Sequence, residues 1–143
     1  MGVGNVYCGD DAVGLVVVRQ VKAQAPDQVR VLEHSGEGAA LLESWKGADA
    51  VVLVDAVFSG GKPGMIYQFD AHAQPIPAQF FRHSTHAFSV AEAIELARVL
   101  HQLPPSLTVY GIEGRDFQVG KGLSQAVAKA VPEVVQRVLQ QVQ

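Results

Sequence analysis

ADAVVLVDA, residues 48–56, is a short apolar run rich in β-branched residues that ends on a carboxylate, and its bounding residues are polar or turn-forming. It reads as a buried strand. VRVLE at 29–33 and SLTVYGI at 106–112 have the same character and read the same way. MIYQF at 65–69 follows the turn-rich SGGKPG and alternates in the manner of a half-exposed strand. Entered through so short a turn, it is the expected antiparallel member.

Helical patterns fill the spaces between these runs. DAVGLVVVRQVKAQAP (11–26) is too long for a strand and closes before Pro26, and GAALLESWKG (38–47) ends on Gly47, a C′ candidate. Ser89 and Glu92 form a capping box ahead of AIELARVL, while LSQAVAKAVPEVVQRVLQ starts from Ser124, with Pro132 expected to bend or restart it. Strands alternating with helices predict a three-layer α/β/α sandwich around a mostly parallel, twisted sheet with one antiparallel strand. In such sheets ligands gather beyond the carboxyl ends of the strands, where the strand order reverses.

The chain has 143 residues, which suits one domain spanning 1–143. With 48% apolar and 17% charged residues it has a globular balance. A net charge of −3 without a Lys/Arg cluster argues against nucleic acid or an anionic membrane as the main partner. No apolar stretch approaches a membrane span, and the single Cys8 leaves no intramolecular disulfide, so a cytoplasmic location is expected. The strand expected before the first loop has only about three residues, MGV, and reads as truncated.

Three positions stand out chemically. GDDAVG (9–14) places Asp10 and Asp11 side by side ahead of a helix, and capping that helix accounts for only one of them. Asp55 ends VVLVD, so the three acids share one crest if their strands are neighbours. Clustered carboxylates are costly unless a cation or proton sits between them. His86 in HSTHAFS projects from another element terminus, with His83 a competitor on the same loop; His34 and His72 have no distinctive setting, and His101 is expected late in a helix, where it would favour the dipole. Two carboxylates and an imidazole suit a divalent first-row metal. Cys8 lacks a protease-type signature and reads as a small buried side chain, and GVGNVYCG breaks the dinucleotide-binding spacing.

GVGNVYCGDDAVG at 2–14, VVLVDAV at 51–57, PGMIYQF at 63–69, STHAFS at 84–89 and VYGIEG at 109–114 follow one another in a familiar order. The chain resembles the hydrogenase maturation endopeptidases along nearly its whole length. The resemblance implies a cytoplasmic protease that removes a C-terminal extension from the large-subunit precursor of a nickel–iron hydrogenase once nickel is in place. Carried over by position, the metal-contacting residues are Asp11, Asp55 and His86. Nickel is then presented by the substrate, with other divalent ions as possible substitutes, and Asp10 is left for capping and loop support. The group that activates water is not identified by the resemblance; Asp11 and Asp55 are candidates. The rivals are a non-catalytic nickel-sensing or chaperone-like module on the same fold, and a nucleotide-binding domain using GVGN. HSGEG (34–38) replaces the acidic Gly-rich turn common in the family, and together with the 70–85 loop it is expected to flank a groove for the precursor's tail, with Phe80 and Phe81 either contacting that tail or packing under the loop.

Overall fold

The computed structural model describes residues 1–35, 37–77, 80 and 90–142. Among these residues five strands, β1 (Gly2–Val3), β2 (Glu33–His34), β3 (Ala50–Val57), β4 (Ile66–Asp70) and β5 (Ser106–Glu113), form one sheet in the order β2-β1-β3-β5-β4. All pairings are parallel except β4 with β5. The expected antiparallel strand is therefore present, on the edge beside β5.

Among the described residues four α-helices cover the sheet: α1 (Val13–Gln24), α2 (Gly38–Ser44), α3 (Val90–Val99) and α4 (Gln125–Val142). The side-chain alternation of β3 divides the interior between its two faces. Leu53 and Val57 join Leu41, Trp45, Ile94 and Leu107 on the α2/α3 side. Val54 and Ala56 join Val17, Ile112, Val134 and Val138 on the α1/α4 side. The three-layer arrangement read from the sequence is thus present. One close approach fixes where α1 lies. A Cβ on Gly14 would run into the carbonyl oxygens of Val3 and Val54, so only glycine lets the helix settle on β1 and β3 there.

Three local expectations change. VRVLE pairs only over its last residue and the one beyond it, because β1 offers only Gly2 and Val3 as partners. Pro132 neither ends nor restarts α4, which runs unbroken from Gln125 to Val142. His101 lies beyond the end of α3 with φ 57°, so it does not sit within the last helical turn. Ser89, and with it the capping box expected ahead of α3, lies outside the described residues.

At the amino ends of the central strands the sheet is incomplete. The Met1 amine donates to the Val52 carbonyl at 2.7 Å, and Val54 N–H donates to the Met1 carbonyl at 2.9 Å. Beyond Met1, between Val29–Leu32 and Ala50–Val52, lies a cavity of about 590 Å³ whose lining includes Trp45 and Val138. Trp45 is almost fully buried, and its indole Nε1 has no hydrogen-bond partner among the described residues.

Candidate active site

The direction of strand succession reverses between β1 and β3, since β2 lies on one side of β1 and β3 on the other. This is the crevice where such sheets bind ligands. Asp11 reaches it from a tight 3₁₀ turn, Gly9–Ala12, that connects β1 to α1. Asp55 reaches it from within β3, paired opposite Gly111 of β5.

The two carboxylates sit in different surroundings. Asp11 is half-buried and accepts a hydrogen bond from the Asn5 N–H at 3.0 Å. Asp55 is buried, with 5% of its surface exposed, and its Oδ1 accepts from the Ala56 N–H at 2.8 Å. Burial pushes the Asp55 carboxyl well above the usual carboxylate range, and the negative charge of Asp11 pushes it further the same way. A pair of acids held so close favours a bound cation or a retained proton over two free negative charges.

Asp10 faces the opposite way. Its side chain is fully buried and accepts from the backbone N–H groups of Arg115 (2.7 Å), Asp116 (3.0 Å) and Ser124 (2.6 Å), and from the Ser124 hydroxyl (2.8 Å). Its own N–H donates to the Asp116 carbonyl at 2.8 Å. Gly9, with φ 57°, makes the approach possible, since a Cβ there would collide with the same carbonyl. Asp10 therefore ties the Asp11 turn to the segment after β5 and to the start of α4.

Neither acid caps α1, contrary to the sequence expectation; Ala12 stands at its N-cap position, with no side-chain hydrogen bond. The 3₁₀ turn takes up the first helical turn's place, which frees Asp11 for the crevice and Asp10 for the loops. His86, the third expected metal contact, lies outside the described residues, as do His83 and Phe81. Among the described residues, no three His, Cys, Asp or Glu side chains gather as a complete metal site.

The sequence of residues 15–141 matches the family model described as hydrogenase maturation protease. A Methanocaldococcus jannaschii protein named as a hydrogenase maturation protease is 32% identical, over 97% of this chain and 92% of its own. The Hydrogenase 2 maturation protease of Escherichia coli is 26% identical, over 97% and 86% respectively. In three dimensions the chain resembles an endopeptidase from Escherichia coli solved in solution, with a TM-score of 0.83 at 26% identity, covering 97% of this chain and 87% of that one. The chain belongs to the hydrogenase maturation protease family. It is accordingly an endopeptidase.

This maturation protease carries a further buried acid that the sequence reading passed over. Glu113, at the end of β5, is fully buried and accepts from the Ser59 N–H at 2.9 Å, the Ser59 hydroxyl and the Tyr67 hydroxyl at 3.1 Å. It anchors the turn that follows β3, just beyond Asp55. The signal was present in VYGIEG, where a carboxylate closes a buried strand. Of the groove residues expected, Phe80 packs against Tyr67 and Phe69, with ring centroids 4.9 Å and 5.5 Å apart. Within HSGEG, Glu37 caps α2 through the N–H groups of Ala39 and Ala40. Cys8 is half-buried, not the buried side chain its sequence setting suggested.

Proposed function

We propose that this endopeptidase removes the C-terminal extension of a hydrogenase large-subunit precursor, and that it recognises the nickel already held by that precursor. The observation that carries the reading is the juxtaposition of Asp11 and Asp55 at the strand-order reversal, with Asp55 buried and resisting its negative charge. A divalent cation brought by the substrate relieves both the burial cost of Asp55 and its repulsion from Asp11. His86 supplies the nitrogen ligand in this reading, and other divalent ions can stand in for nickel.

Hard, sparse carboxylate ligands suit a metal that the substrate already holds. An empty enzyme with so few donors has weak affinity for free nickel, so cleavage waits for nickel insertion into the precursor. Asp11 and Asp55 are also the acids nearest the proposed reacting region, where either could take a proton from water. The cytoplasm, where such a precursor is assembled, is the proposed place of action.

The test is incubation with a nickel-loaded large-subunit precursor, followed by intact mass measurement. Loss of the C-terminal extension with nickel, and none from nickel-free precursor, is the expected result. Equal cleavage of both forms would overturn nickel recognition; binding without any mass change would favour a sensing module.

A further inference from the structure

Exposed apolar side chains are unevenly distributed on this protein. Among the described residues the large ones are Val6, Tyr7, Phe58, Met65 and Val119, together with Leu96, Val99 and Leu100. The last three lie around the end of α3, at the amino end of the sheet. The other five come from segments that follow β1, β3 and β5 or lead into β4, all at the carboxyl end of the parallel strands. Tyr7 is 72% exposed and Val119 79%.

These side chains stand on fixed backbone. Tyr7 N–H donates to Asn5 Oδ1 at 2.9 Å, and Gly120 N–H donates to the Tyr7 carbonyl at 2.9 Å, which brings Val119 alongside. Phe58 N–H donates to the Phe80 carbonyl at 2.8 Å, and the Phe58 ring meets Phe117 edge-on at 5.7 Å. Glu113 N–H donates to the Met65 carbonyl at 2.8 Å. A rigid backbone that holds apolar groups in water marks a recognition surface better than scattered exposure does.

Charge gives a second indication. Lys62, Arg115 and Lys121 are exposed on these same segments, on a chain whose net charge is −3. Among the described residues none of the three forms an ion pair, whereas Arg19, Lys46, Arg98 and Arg137 each pair with a glutamate elsewhere.

From this we infer that Tyr7, Phe58 and Val119 form an apolar docking rim for the polypeptide flanking the cleaved bond, an extended apolar segment that also carries a carboxylate. The inference rests on the proposed site, because the rim adjoins the crevice of Asp11 and Asp55 and an endopeptidase must hold chain on either side of the bond it cuts. Apolar side chains of the segment cover Tyr7 and Val119, and its acidic group meets Lys121 or Arg115.

The test measures binding of fluorescently labelled large-subunit precursor by anisotropy, and cleavage of the nickel-loaded form by mass. The double variant Tyr7→Ser/Val119→Ser, both positions being surface-exposed, should raise Kd and KM about tenfold or more while kcat stays within about twofold. Lys121→Glu should weaken binding by several fold at low salt and much less at high salt. Val99→Ser/Leu100→Ser, at the other end of the sheet, should change nothing. Unchanged Kd and KM in the rim variant, or no binding by the unsubstituted protein, overturns the rim. Asp11→Asn separates the two ideas: wild-type cleavage by that variant would sink the nickel site and leave the rim to be judged by its own Kd.

Discussion

A buried carboxylate weighs against the fold that carries it, and Asp55 is such a group. In the window between the ordinary carboxylate range and its raised value, the folded protein holds more protons than the unfolded chain. Stability therefore falls as pH rises through that window. Asp55→Asn keeps an oxygen for the Ala56 N–H and removes the charge. It should stabilise the metal-free protein at neutral pH by about 0.5–2 kcal/mol, with the gain disappearing in acid, as thermal melts across pH would show. The same variant should lose nickel-dependent cleavage. Asp11→Asn should likewise keep the fold, since an amide oxygen can accept from Asn5, and abolish cleavage of nickel-loaded precursor in the mass assay. Asp10→Asn is different: its amide nitrogen would face donors inside the protein. A stability loss of about 3 kcal/mol is expected, read from urea unfolding midpoints. The positions of Asp11 and Asp55 towards the carboxyl end of the sheet were legible in the sequence, because apolar strands and the loops that follow them are marked by composition. The role of Asp10 was only half legible, since three of its partners are backbone N–H groups more than a hundred residues away, and main-chain donors leave no trace in residue identity.

Among elements, the short β1 has the largest effect on its surroundings. Its register sets Gly2 opposite both Val54 and Glu33, so Met1 stands opposite Leu53 and Leu32. Counting back at constant offset, three further residues would stand opposite Val52, Val51 and Ala50 on one side, and Val31, Arg30 and Val29 on the other. An apolar extension of three to five residues ahead of Met1 should therefore fill the cavity and raise stability by about 1–3 kcal/mol net of chain ordering. A higher Tm checks this. Burial also lowers the Met1 amine to about 6 from its ordinary 8.0. Between those values the folded state binds fewer protons, so stability rises with pH there, and the extended chain should lose this dependence. VRVLE shows why the sequence alone misled: its composition is that of a strand, but pairing needs a neighbour, and composition does not report neighbours. The helices were more legible because apolar periodicity states which face is buried. Pro132 does not restart the helix; the tertiary packing around it, with Val131, Val134 and Val135 all buried, outweighs one missing backbone hydrogen bond.

At the scale of the whole molecule, β3 and β5 belong to both apolar layers, so neither layer can be lost alone. Trp45 reports the α2/α3 side, and Tyr110 belongs to the α1/α4 side. Tryptophan fluorescence, tyrosine signals and far-ultraviolet circular dichroism should therefore give coincident unfolding transitions. Separate midpoints would mean that the layers unfold independently. The layers and the one antiparallel strand follow from patterns any reader of the chain can find. The inward anchoring of the crest by Asp10 and Glu113 does not, because it depends on where distant loops end up. That anchoring also bears on how such a protein can diversify. With the 9–12 turn fastened to residues 115, 116 and 124, and the turn after β3 fastened to Glu113, a change of loop length in either place would be felt at Asp11 or Asp55. New substrate preference is then open to exchange of outward-facing side chains on loops of fixed length, and largely closed to insertion and deletion.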